Sequence, residues 1–148
     1  MLKWIDLPPV WLVGFAALTW MQARFLPIGG FGPWAPPLGA LLILAGVVLA
    51  AAAVVEFHRH RTTVIPHQMP SAIVTTGVFA RTRNPIYLGD TAILLGCVLW
   101  WQAVPSTVLV PVFMILISKR FIAAEEARLH QEFPSEFQNY KTAVRRWL

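Results

Sequence analysis

The sequence predicts an all-α integral membrane protein with about four transmembrane helices and two polar regions on its cytosolic side. Three observations predict it. Hydrophobic residues fill 57% of the 148 positions and charged residues only 13%, too few to solvate the surface of a soluble domain of this length. Residues 36–57, PPLGALLILAGVVLAAAAVVEF, contain an apolar run of about twenty residues, enough to cross a hydrocarbon core about 30 Å thick. The 12 Lys and Arg side chains flank the apolar stretches instead of forming a basic domain of their own.

The elements follow in order within a single domain, 1–148. The first span covers residues 8–26. Lys3 precedes it as in a secretory leader, but no small-residue cleavage site follows, so the segment reads as retained. The second span, 36–57, carries Gly39, Gly46, Ala50 and Ala53 at helical spacing, a seam that lets two backbones approach closely in lipid. A polar connection, 58–84, leads to the third span, 85–103, where Gly89, Ala92 and Gly96 form a matching seam and Cys97 reads as a packing residue. The fourth span, 105–121, is short and contains Pro111, which predicts a kink or tilt. Almost nothing separates the third and fourth spans. They should form a tight antiparallel hairpin with Trp100 and Trp101 at headgroup level. Two helices should complete the chain over 122–148.

Charge sets the direction. With the N-terminus in the cytoplasm, Lys3, Arg59, Arg61, Arg81, Arg83, Lys119, Arg120, Arg128, Lys141, Arg145 and Arg146 all lie inside, and only Arg24 lies outside. The expectation is a plasma membrane or bacterial-type inner membrane, with both termini and the 58–84 loop cytoplasmic. The net charge of +5 is then a topology signal and gives no reason to expect a nucleic-acid partner. His58, His60 and His67 lack a cysteine or nearby carboxylate to complete a metal set. No Gly-x-Gly-x-x-Gly element follows a strand, which argues against a soluble dinucleotide fold.

Chemistry concentrates in the polar half. In the tail, Ile122, Glu126, Leu129 and Phe133 share a helical face. A carboxylate in that apolar stripe requires a cationic or donor partner. Glu125 points about 100° away and could reach Arg128. A second tail helix after Pro134 is expected to be capped by Ser135 with Gln138 in a capping box. Its apolar side, Phe137, Tyr140, Val144 and Trp147, would suit the bilayer surface.

The opposite wall is ARTRNPIYLGD, residues 80–90. Arg81 and Arg83 would point the same way in an extended stretch. Asn84 is disfavoured from helical geometry by Pro85, which is itself well placed as the first helical residue. Gly77 would tolerate a positive φ. The helix start offers free N–H groups to an anion, Tyr87 stands beside it, and Asp90 lies one turn inside. Such a threshold suits a zwitterionic small molecule, with arginine on its carboxylate and glutamate on its ammonium group.

GVFARTRNPIYLG, followed about thirty-five residues later by EEARLHQEFPSEFQNYKTAVRRWL, resembles the isoprenylcysteine carboxyl methyltransferase family. It is also similar to the related phospholipid N-methyltransferases, which share an Arg-(His/Asn)-Pro-x-Tyr-x-Gly element and a downstream Glu-Glu pair. The resemblance spans roughly residues 56–148, including TTVIPHQMP. It implies an integral-membrane methyltransferase that uses S-adenosylmethionine in a cytosolic pocket made by the loop, the hairpin helices and the C-terminal helices. By position it implies Gly77, Arg83, Asn84, Pro85, Tyr87, Gly89, Glu125 and Glu126 as cofactor contacts. Arg81 stands beside them, and His67 lies in the approach.

The implied reaction is methyl transfer to a lipophilic acceptor, with an isoprenylcysteine-type carboxylate foremost and phospholipid amines or thiols as alternatives. Such an in-line displacement needs alignment more than it needs a metal. Arg83, Glu126 and Asp90 are the residues expected to act in catalysis. A neutral thiol or amine would also need a proton sink, for which Glu126, Asp90 and His67 are available. The non-enzyme alternative, a small membrane scaffold or lipid-binding protein, predicts no affinity for S-adenosylmethionine.

Overall fold

A computed structural model describes residues 6–62, 68 and 70–148. The described residues are helical, with no strand among them. Helix α1 is Pro8–Phe25, α2 is Ala35–Arg59, and α3 is Pro85–Trp100. A 3-10 segment Val104–Val108, helix α4 (Leu109–Ile117), a π-helical turn Ser118–Ile122 and helix α5 (Ala123–Glu132) follow one another without a break. Helix α6, Pro134–Ala143, precedes an extended tail.

Two helical stretches are long and apolar enough to cross a membrane, Ala35–Arg59 and Val104–Glu132, and Pro85–Trp100 is a shorter apolar helix. The expected break near residue 121 is absent. The fourth span and the first tail helix form one continuous rod, because SKRFI contains no residue that ends a helix. Leu38, Leu41, Leu44, Val47, Val48 and Val55 of α2 all face outward, an arrangement suited to lipid and costly in water.

Helices α2 and α3 pack closely through glycine. A Cβ on Gly39 would lie 2.6 Å from the Gly96 carbonyl oxygen, and one on Gly46 would lie 2.5 Å from that of Gly89. The contacts are reciprocal and recur after seven residues on each antiparallel helix, so both backbones meet at two levels. Ala53 extends the line into the polar half, where it is fully buried.

The α3–α4 reversal is as tight as expected. Gln102 turns it with φ +57, and its side chain accepts from Phe31 N–H (2.7 Å) and donates to the Gly32 carbonyl (2.8 Å). Gln22 of α1 accepts from the Ser106 N–H and hydroxyl, fastening the same end. One apolar core joins Phe15, Tyr87, Leu94, Phe113, Ile117, Phe121 and Ile122. A second, in the polar half, joins Ala53, Val74, Phe79, Phe137 and Tyr140.

Two tail expectations change. Helix α6 starts at Pro134 itself, with Phe133 before it outside the helical region and no side-chain cap. Proline's fixed φ suits the first helical position, so Ser135 is already inside the helix and forms no capping box. Nor is the apolar face of α6 free to lie on a bilayer. Phe137 and Tyr140 are buried in the second core, the Tyr140 hydroxyl donates to the Phe79 carbonyl (2.7 Å), and Trp147 packs on the first core. Burial pushes the Tyr140 phenol well above its ordinary value.

Candidate functional site

The site is assembled where the start of α3, the middle of α5 and the tail meet. Pro85 opens α3, and Asn84 before it has φ −130 and ψ 60, outside the helical region. The tail runs alongside. Arg83 N–H donates to the Arg145 carbonyl (3.0 Å), while Asn84 Nδ2 (2.8 Å) and the Thr82 hydroxyl (3.3 Å) donate to that of Arg146. These backbone-directed bonds hold the last residues against the threshold whatever their side chains do.

Glu126 is the centre. Its Oε1 forms an ion pair with Arg83 Nη2 at 3.1 Å and accepts from Arg146 Nε at 3.1 Å, while Oε2 accepts from Arg146 Nη2. The partner demanded by a carboxylate in an apolar stripe is thus two guanidiniums. The bidentate pairing with Glu126 raises the Arg146 pKa, against a smaller lowering by desolvation. Arg83 is nearly enclosed, with its side chain 8% exposed and Nη1 donating to the Lys141 carbonyl. Its Nε is buried and has no acceptor among the described residues.

Glu125 lies beside this cluster and accepts a 2.6 Å hydrogen bond from the Tyr87 hydroxyl. The two glutamates therefore do different work: one neutralises arginines and the other fixes a phenol. Asp90 is three residues beyond Tyr87, buried at 6% exposure, with Oδ2 unpartnered among the described residues.

The other anticipated residues are distributed as follows. Arg81 is exposed. The chain winds through a 3-10 turn at Gly77–Ala80 and leaves Arg81 in a helical conformation, so the extended geometry that would align it with Arg83 does not occur. Gly77 has the positive φ, +58, and a Cβ there would strike Glu56 at 2.7 Å. Gly89 faces Gly46 in the helix seam. His67 lies outside the described residues. His58 and His60 each place Nδ1 2.9 Å from a carbonyl of their own helix.

Two participants were not anticipated from the sequence. Arg146 is one. Glu56 is the other: buried near the end of α2, it accepts from the Thr76 hydroxyl (2.7 Å) and pairs with Arg59 (3.0 Å), latching the loop to the helix. A glutamate closing an otherwise apolar span was the available signal for Glu56. Arg146 gave none.

A cleft of about 450 Å³ opens beside Glu126, within the range of small-molecule sites. Its walls are Ala123, Glu126, Ala127, His130, Phe137, Gln138, Lys141 and Arg146, from α5, α6 and the tail. None of the loop residues expected to share the wall, Arg83 among them, lines this cleft.

Two apolar helices of membrane-crossing length, joined at one polar end to a charged, tyrosine-bordered cluster, are the architecture of a helical membrane protein. The chain belongs to the phospholipid methyltransferase family, whose model matches residues 34–136. That family makes it a membrane methyltransferase in class. An uncharacterized protein of Haemophilus influenzae is 38% identical over 63 residues, which are 43% of this chain and 100% of that protein. No solved structure matches the chain.

Proposed function

We propose that the protein transfers the methyl group of S-adenosylmethionine to a lipophilic acceptor at the cytosolic edge of a plasma or bacterial inner membrane. The observation that carries this is the Arg83–Glu126–Arg146 cluster. It brings two guanidiniums and a carboxylate together at the start of α3, with a buried Arg83 N–H to donate. Guanidiniums, a helix N-terminus and adjacent carboxylates fit the amino-acid end of a zwitterion.

In this reading Arg83 holds the carboxylate of the donor and Glu126 its ammonium group. Asn84, Pro85 and the Tyr87–Glu125 pair fix the wall against which they work. Gly77 and Gly89 contribute through close backbone packing on Glu56 and Gly46, while Arg81 and His67 complete the polar approach. S-adenosylmethionine supplies an activated methyl group on a sulfonium. The chain's task is to align acceptor and donor and to exclude water.

The acceptor should come from the lipid, because α3 and the following rod offer mostly apolar side chains beyond the threshold. The family description supports a phospholipid acceptor over an isoprenylcysteine-type carboxylate or a thiol.

Calorimetric titration of detergent-purified protein with S-adenosylmethionine and S-adenosylhomocysteine tests the reading. Micromolar binding, about −8 kcal/mol, is expected. Arg83→Ala and Glu126→Gln should each weaken it by about 1.5–3 kcal/mol, the contribution of a charged hydrogen bond. Absence of binding by the folded wild type would leave a scaffold or lipid-binding protein in its place.

A further inference from the structure

Arg146 is the member of the charged cluster that the proposed function leaves without a role. Its backbone and its side chain are held separately. The Arg146 carbonyl accepts from Asn84 Nδ2 (2.8 Å) and the Thr82 hydroxyl (3.3 Å), and Arg83 N–H donates to the Arg145 carbonyl (3.0 Å). Trp147, the next residue, packs on the first core. The guanidinium meanwhile bridges both oxygens of Glu126. It can turn off that carboxylate about its own side-chain torsions while the tail stays docked.

The three charged side chains are layered. Arg83 is 8% exposed, Glu126 15% and Arg146 40%, so Arg146 lies on the solvent side of the carboxylate. Glu126 and Arg146 both line the 450 Å³ cleft, whereas Arg83 does not. An ammonium group arriving through the cleft therefore meets a carboxylate whose oxygens are already bridged from the cleft side. An ammonium and a guanidinium cannot share those positions, because their like charges would lie within contact distance.

We propose that the Arg146 guanidinium is an internal competitor for the donor's ammonium group, occupying its place on Glu126 and swinging off before S-adenosylmethionine seats. The proposal rests on the methyltransferase reading and adds to it a gate on donor binding. Apparent affinity is the intrinsic affinity reduced by the fraction of molecules whose Glu126 is uncovered. An ion pair as exposed as Arg146 is weak, so the gate lowers affinity several-fold and not by orders of magnitude. A ligand with no ammonium group makes no use of Glu126 and is indifferent to the gate.

Calorimetry on full-length protein in detergent, with S-adenosylhomocysteine and its deaminated analogue as probes, tests this. Arg146→Gln should bind S-adenosylhomocysteine about 5-fold more tightly than wild type, and the deaminated analogue no more tightly. Arg146→Lys keeps the charge but cannot bridge both oxygens, and should tighten S-adenosylhomocysteine by about 2-fold. That variant separates displacement from the mere loss of a positive charge. In a Glu126→Gln background Arg146→Gln should gain nothing, since no carboxylate remains to be uncovered.

Wild-type or weaker binding of S-adenosylhomocysteine by folded Arg146→Gln overturns the proposal, and so does equal tightening of both probes. Unchanged affinity in Arg146→Lys also overturns it, and this arm decides if the glutamine variant fails to fold. Failure of the methyltransferase reading looks different: neither wild type nor Arg146→Gln would bind S-adenosylhomocysteine at all, and the proposal would fall with it.

Discussion

Replacing Glu126 with glutamine should destabilise the polar half far more than removing the side chain of Arg146, although Arg146 makes more contacts with Glu126. The reason is exposure. The Arg146 side chain is 40% exposed, so water and salt screen its pairing, and such pairs contribute about 0.5–1 kcal/mol. The Arg83 side chain is 8% exposed. Removing its counterion strands a guanidinium where little water can replace the carboxylate, a change that costs about 2–3 kcal/mol. Glutamine keeps Oε1 as an acceptor for both guanidiniums but carries no charge, so the loss is electrostatic and falls mainly on the enclosed Arg83. Arg146→Ala also leaves the tail in place, because Arg83, Asn84 and Thr82 hold it through backbone carbonyls. Unfolding by graded SDS in mixed micelles, followed by tryptophan fluorescence, should place Glu126→Gln about 2–3 kcal/mol below wild type and Arg146→Ala within about 1 kcal/mol. Trp147, packed on the first core, makes the tail visible in that signal. Equal losses for the two variants, or a larger loss for Arg146→Ala, would refute the reasoning.

Gly46→Ala should cost about 1–3 kcal/mol in the same assay, since its methyl group meets the Gly89 carbonyl and must push α2 and α3 apart. Gly14→Ala, where nothing lies within 4 Å, should cost nothing or stabilise slightly, and equal losses would discount the glycine seam. For topology, Thr75→Cys and Asn139→Cys in a Cys97→Ser background should resist an impermeant thiol reagent in intact cells and react after lysis. Labelling from outside would reverse the assigned orientation.

The sequence made visible whatever depends on local chemistry. Pro85 could start α3 because its fixed φ and missing N–H are harmless there, and Asn84 before it could not be helical. Gly77 was legible as a positive φ, and Gly39, Gly46, Gly89 and Gly96 as a close-packing seam. Contacts decided by the path of the chain were hidden. Arg146 lies in an extended tail with no periodicity, and it reaches Glu126 only because residues 82–84 bind that tail edge to edge. Arg81 and Arg83 were not aligned because the 3-10 turn at Gly77–Ala80 ends on Arg81 and holds it in a helical conformation, and those residues give no composition signal for the turn. At Pro134 two local rules competed, and proline's preference for the first helical position prevailed over serine capping.

The π turn explains how one rod serves both the membrane core and the charged cluster. Residues five apart stack in a π turn, whereas four separate stacked residues in an α-helix. Phe113, Ile117 and Phe121 follow the α spacing, and Ile122, five beyond Ile117, is fully buried beside Phe121 and widens the ridge. Four residues beyond Ile122 the same ridge presents Glu126, and four beyond Phe121 it presents Glu125. Phe121 lies under the Tyr87 ring, with centroids 6.5 Å apart, and Glu125 meets the hydroxyl of that same tyrosine. The extra residue turns the downstream helix by about 100° relative to an unbroken α-helix, so that Glu126 as well as Glu125 faces the α3 threshold. Asp6 makes a bidentate pair with Arg120 of this turn and accepts from Trp11, so the start of α1 is fastened to the place where the register changes. The placement of the glutamate pair at the α3 threshold is thus a consequence of core packing, transmitted through a turn that the sequence itself does not announce.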